Sequence, residues 1–261
     1  MKLKSIPILL LLPALMVLVG CSGGTAAPLP IATPTPYPTY TPYPTLTQVP
    51  SKAPSWLELG NTGTTTSEFD NLSIPLLTIS SASDSVPSYD RDDWRHWIDS
   101  DGDCQNTRHE VLVEESIIPV AFTDARKCNV LEGQWLALFS GVNVFTATEL
   151  DVDHMVPLAN AHKSGGWAWD YERKREYANN LSYKGHLIAV TASANRSKGA
   201  RGPEDWRPAD KNYWCLYAID WITIKAAWGL TATQQEWDAL VEMLDSCAYE
   251  VTILGVTNVN N

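Results

Sequence analysis

Asp153 and His154 stand side by side near the middle of the 261-residue chain, and Asn195 and Lys198 follow further on. A neutral imidazole takes up a proton near pH 7. Carboxylate and carboxamide oxygens are the ligands that hard cations such as Mg²⁺ prefer, and Mg²⁺ keeps several waters besides. Breaking a phosphodiester needs a base for water, a cation to stabilise charge on phosphorus and on the departing oxygen, and oxygen ligands to hold that cation. His154 is the candidate base. Asp153 and Asn195 are the candidate ligands of one divalent metal, Mg²⁺ first, with Mn²⁺ or Ca²⁺ as substitutes.

These residues must be placed by the elements that carry them. Residues 148–155 alternate polar and apolar side chains, which predicts a half-buried strand. Leu150 and Val152 form its apolar face, and Asp151 and Asp153 share the other. Leu187 to Val190 reads as a short buried strand or turn, and residues 193–198 as a helix carrying Asn195 and Lys198, broken by Gly199. Further helices are expected over 90–97, 107–117, 157–163 and 171–180, and a strong one over 210–228 with Gly229 at its C-cap. On that last helix Trp214, Ala218, Trp221, Ile222 and Lys225 share a face. Thr233-Gln-Gln-Glu236 is a capping box opening the final helix. Residues 128–135 read as a strand and turn, with 135–139 as the hairpin partner ended by Gly141.

The segments Asp151-Val-Asp-His-Met-Val-Pro-Leu-Ala159, Tyr177-Ala-Asn-Asn-Leu181, Leu187-Ile-Ala-Val190 and Asn195-Arg-Ser-Lys-Gly199 resemble, in this order, the HNH nuclease family. They are most similar to its secreted branch related to the C-terminal domain of GmrSD restriction endonucleases. The resemblance runs from about Asp90 to Cys247, taking in Asp103-Cys-Gln-Asn-Thr-Arg108 and Trp206-Arg-Pro208. It implies an α+β fold in which a ββα-metal core sits within a mainly helical domain, and a nucleic acid substrate, DNA or RNA. By position, His154 is then the general base, Asp153 and Asn195 hold the metal, and Asn180 ties the loop and orients the histidine's backbone, a role compatible with capping a helix. Lys198 and Arg196 would contact the phosphate, although Lys198 reads equally as a solvated charge. Asp151, on the face of Asp153, reads as a residue that orients a ligand or as one that is simply exposed. Arg108 is either a phosphate clamp or a salt-bridge partner of an acid such as Glu115. The third motif position is Asn195 rather than histidine, and no zinc-binding cysteine quartet surrounds the core.

The net charge of −11 opposes wholesale attraction of a polyanion. The local answer is a basic set around the motifs: Arg173, Lys174, Arg175, Arg196, Lys198, Arg201 and Arg207. The chain opens with Lys2, Lys4 and a short apolar run, a signal peptide over 1–20. Leu18-Val-Gly-Cys21 resembles the lipobox of bacterial lipoproteins, which implies lipidation of Cys21 and a protein held outside the cytoplasm on the bacterial cell membrane; an ordinary secretory signal with a stray cysteine would instead give a secreted protein. Residues 21–54, rich in Pro and Thr, read as a stalk, 55–89 as a Ser/Thr-rich linker, 90–250 as the nuclease domain and 251–261 as a tail. Of five cysteines, Cys104, Cys128, Cys215 and Cys247 remain. Three pairings exist, and closure of local loops favours Cys104–Cys128 with Cys215–Cys247. No CxxC pair supports a zinc site instead. Nothing points to a protein partner. Two other functions compete: a surface lipoprotein that binds nucleic acid without cutting it, and a zinc cell-wall peptidase. The latter rests on a faint similarity around His162 to Asp170 whose register is off by one.

Overall fold

The structure is a computed structural model describing residues 71–80, 85–248 and 250–254. The signal peptide, Cys21, the stalk and the far end of the tail lie outside the described residues. The architecture is mixed α+β.

Helix α1 (Thr107–Glu115) is opened by Asn106, whose side chain accepts from the His109 amide. It packs through Val111 and Leu112 on a three-stranded antiparallel sheet of β2 (Ala121–Phe122), β3 (Val130–Ala137) and β4 (Val142–Thr146). The turn expected before Trp135 is absent. β3 runs straight through, with a register shift between Glu132 and Trp135. Gly133 marks that irregularity because the Trp135 ring folds across it, and a Cβ there would lie 2.5 Å from the ring. The indole Nε1 donates to the Leu112 carbonyl at 2.8 Å, tying sheet to helix. The true turn lies at Gly141, where φ is +68°.

β5 (Leu150–His154) pairs antiparallel with β6 (Leu187–Thr191), placing Asp153 opposite Ile188 and His154 opposite Leu187. Between them the chain forms α2 (Leu158–Lys163) and α3 (Tyr171–Ala178), the latter capped by Asp170, which accepts from the Arg173 amide. α4 (Ala192–Lys198) follows β6 directly, with Thr191 as its N-cap. α5 (Trp214–Trp228) begins after a 3₁₀ turn and ends at Gly229, φ +66°. Ile219, Asp220 and Ile224 are buried beside the expected face, so α5 is surrounded rather than one-sided. It forms the axis of the main core with Tyr177, Tyr217 and Trp221. α6 (Gln234–Leu244) carries the Thr233–Glu236 capping box. The helix expected over 90–97 is only a 3₁₀ turn, Arg91–Asp93.

Two boundaries move. β1 (Asn71–Pro75) pairs parallel with β7 (Glu250–Leu254), and Ile74 and Leu77 enter the main core. The linker reading of 55–89 therefore fails at 71–77, and residues 251–254, expected to be tail, belong to a strand. Polar Ser/Thr composition hid a strand whose partner lies at the other end of the chain. Both expected disulfides are present, Cys104–Cys128 and Cys215–Cys247.

Candidate active site

Side chains two apart on a strand share a face, and side chains three apart on a helix are neighbours. α4 packs on the polar face of β5, and the two periodicities mesh. The Asn195 Nδ2 donates to Asp151 Oδ2 at 3.1 Å. The Lys198 Nζ donates to Asp153 Oδ2 at 2.6 Å and to the His154 carbonyl at 2.9 Å. Asp153, His154 and Asn195, far apart in sequence, all line one cavity of about 290 Å³ together with Arg91 and Trp97.

The imidazole of His154 is fixed by the backbone. Its Nε2 lies 2.9 Å from the Ala178 carbonyl. A carbonyl only accepts, so Nε2 carries the hydrogen and Nδ1 keeps the lone pair in the neutral ring. Nδ1 has no hydrogen-bond partner among the described residues. Burial holds this histidine well below the usual imidazole pKa, so the neutral form prevails. Trp97 stacks on the ring at 5.5 Å between centroids and 29° between planes. Its own φ of +57° is an uncommon conformation for a bulky residue and costs on the order of 1 kcal/mol. The preceding carbonyl, Tyr177, takes the Nε2–H of His186 at 2.7 Å. Burial lowers His186 to about 4, so it is also neutral. The C-terminal end of α3 thus holds two imidazoles with two consecutive carbonyls.

That end is itself held by Asn179. Its Oδ1 accepts from the Ile98 amide at 3.1 Å and from Thr107 Oγ1 at 2.9 Å. Its Nδ2 donates to the Arg95 and Arg175 carbonyls, both at 2.8 Å. The loop-tying role expected of Asn180 therefore belongs to its neighbour. Asn180 accepts a hydrogen bond from Ser182 and does not line the His154 cavity. Two adjacent asparagines left the sequence ambiguous, and only the chain reversal after α3 decides between them.

Lys198 departs from both of its readings. It is fully buried, so it is neither solvated nor facing a phosphate. It braces β5 from inside, with burial pushing its pKa down and Asp153 opposing that. Burial likewise pushes the Asp153 carboxyl up, opposed by the Lys198 ammonium. Arg108 departs from both readings as well. Its Nη2 donates to the Ala147 and Leu150 carbonyls at 2.9 and 3.1 Å, bracing the entry to β5. Asp151 meets Asn195 through that residue's amide N–H.

The basic set is mostly spent on the fold. Lys174 pairs with Asp93, Arg175 with Glu172 and Arg207 with Glu242. Arg173 donates to the Trp228 carbonyl, and Arg201 to that of Lys198. Arg196 is exposed and has no ion pair among the described residues. Arg91, which the sequence did not single out, lines the cavity and donates to His96 Nε2 at 3.1 Å. The histidine of the competing peptidase similarity, His162, is buried with its Nε2 on the Pro87 carbonyl and its ring against Tyr89.

A family model for GmrSD restriction endonucleases, C-terminal domain, matches residues 113–243, half of the chain. The chain belongs to this family. The family points to nuclease activity as a class. A protein of Arthroderma benhamiae described as an uncharacterized secreted protein is 39% identical over 162 residues, 61% of this chain and 76% of that protein. No solved structure matches the chain. Among the described residues no helix is long and apolar enough to cross a membrane.

Proposed function

We propose that this GmrSD C-terminal-type domain is a metal-dependent endonuclease of the HNH kind, with β5, β6 and α4 as its ββα-metal unit. The observation that carries the reading is the convergence of Asp153, His154 and Asn195 on one cavity from distant parts of the chain. The donor set fits a hard divalent cation. Lys198 engages only one Asp153 oxygen, and Asn195 spends its amide N–H on Asp151, leaving a carboxamide oxygen without a partner among the described residues. Asp153 and Asn195 would hold the ion, Mg²⁺ first, with Mn²⁺ or Ca²⁺ as substitutes. When bound it supplies positive charge against the phosphodiester.

The protein's own groups do the rest. The Ala178 carbonyl fixes the tautomer of His154, so Nδ1 is the atom that takes the proton from an attacking water. Asp151 turns Asn195, and Lys198 holds Asp153 against the end of β5. Arg91 at the cavity and Arg196 on the exposed side of α4 are the cations left for phosphate. After removal of the signal, lipidated Cys21 would tether the enzyme to the outer face of the membrane, with DNA, or RNA, as substrate.

Plasmid cleavage with Mg²⁺ tests this reading. We expect nicking that EDTA stops and that His154→Ala abolishes. Calorimetric metal titration should show Asp153→Ala and Asn195→Ala weakening the metal while His154→Ala spares it. DNA binding without cleavage would leave a nucleic-acid-binding lipoprotein instead. Loss of metal in His154→Ala would make the histidine a ligand and overturn the assigned roles.

A further inference from the structure

A second cavity, about 640 Å³, opens between α1, the loop leading into β6 and the first half of α5. It shares no lining residue with the His154 cavity. Its walls are largely apolar, including Val111, Leu138, Leu187 and Leu216. Its charged groups are mostly acidic. Glu110, Glu114, Glu115 and Asp220 face a single cation, Lys184, which is already paired with Glu114.

Glu115 is the unusual member. It lies deep in the protein yet keeps some exposure because it lines the cavity. Its Oε2 accepts from the Ala189 amide at 2.8 Å, and Oε1 has no hydrogen-bond partner among the described residues. Asp220 is satisfied by contrast, accepting from Tyr183 at 2.6 Å and Tyr213 at 3.3 Å. A deep carboxyl with a free oxygen, in an apolar cleft of acidic charge, is a poor place for an anion or a neutral lipid tail. It suits a positive group on an apolar stem, which desolvates readily and meets both the carboxylate and the tyrosine rings.

We propose that this cleft is a binding site for an organic cation, an ammonium or guanidinium group carried on an apolar body, with Glu115 as its anchor. Burial, and then the neighbouring Glu114 and Asp220 charges, push Glu115 up to about 8, a cost that an arriving cation relieves. The site goes beyond the nuclease reading and does not depend on it. The cation can come from a free amine or from a basic side chain of a peptide.

Isothermal titration of the full chain with hexylamine, benzamidine and a short peptide carrying one lysine between leucines tests the proposal. Hexanol and hexanoate serve as controls. We expect saturable binding of at least one cation and weaker binding of both controls. Glu115→Gln, which keeps an acceptor for the Ala189 amide, should weaken the cation by about tenfold or more. The free amines against the peptide show which source the cleft accepts. Leu216→Trp, which narrows the cleft while leaving Glu115 in the sequence, should block binding and serves if Glu115→Gln does not fold. No saturation by any cation up to about 10 mM overturns the proposal. Hexanol binding as tightly as hexylamine, or cations unaffected by the variant made, does so as well.

Discussion

Replacing Asn179 with alanine should damage the candidate site without touching a residue that lines it. The side chain makes four hydrogen bonds, to the Ile98 amide, Thr107 Oγ1 and the Arg95 and Arg175 carbonyls. At about 1 kcal/mol net each, with water replacing the most exposed one, the loss of stability is about 2–3 kcal/mol. Asn180→Ala removes only an exposed contact with Ser182 and should stay within about 0.5 kcal/mol. The local effect follows from geometry. Asn179 anchors the turn after α3, and the neighbouring Ala178 carbonyl sets the His154 tautomer. Urea unfolding gives the stabilities, and the ¹⁵N shifts of the His154 ring report which nitrogen is protonated. In Asn179→Ala the Nε2–H population should fall, and cleavage with it, at unchanged affinity for Mg²⁺. If Asn180→Ala has the larger effect on stability and ring shifts, the assignment of the tying role to Asn179 is wrong.

Three other outcomes are expected. Burial raises the Glu115 carboxyl from 4.5 to about 8, so the folded state holds this proton where the unfolded chain has lost it. Its contribution to stability is complete below about pH 4.5 and is lost as pH rises towards 8, by at most ~5 kcal/mol and about half of that where solvent enters the cleft. Glu115→Gln should therefore gain on the parent steadily between those pH values in urea unfolding, and parallel curves would refute the shift. Lys225 is buried against Glu236, with its Nζ also 2.9 Å from Ser164 Oγ and from the Thr231 carbonyl, and Lys225→Met should cost about 3–5 kcal/mol. A loss below about 1 kcal/mol would show that the pair is not desolvated as the structure has it. Finally, with Arg91 and Arg196 as the phosphate contacts, log affinity for DNA should fall against log salt with a slope near −2, which filter binding across a salt series measures. A slope near −6 would mean that cations now held by the fold also reach the backbone.

Most of the site's scaffold was legible because strand and helix periods are rigid. Asp151 and Asp153 two apart, and Asn195 and Lys198 three apart, could mesh only if a helix packed on that strand, and α4 does. The Thr233 capping box and the Gly229 cap are equally local and appear where expected. What escaped was set by distant partners. Gly133 reads as a turn until Trp135 is seen to fold over it. The strand Asn71–Pro75 is invisible in Ser/Thr-rich sequence because its partner lies at the other end of the chain. Asn179 and Asn180 are chemically identical, so only the direction of the chain after α3 separates them.

Lys198 carries the same lesson into function. A basic residue in a motif near a phosphate-processing site invites the reading of a phosphate contact, yet here the ammonium is wholly enclosed. The difference matters energetically. A solvated lysine beside a phosphate adds modest attraction that salt screens, whereas a buried one 2.6 Å from Asp153 fixes the carboxylate at a cost in desolvation that its partner offsets. Lys174 and Arg207 are spent in the same way, on Asp93 and Glu242. An acidic chain that commits most of its motif-flanking cations to its own carboxylates and carbonyls is poorly suited to grip a polyanion over a wide surface. On the proposed nuclease reading, attraction would have to be concentrated near the cavity, and this is why the convergence of Asp153, His154 and Asn195 there, rather than the count of arginines and lysines along the sequence, carries that proposal.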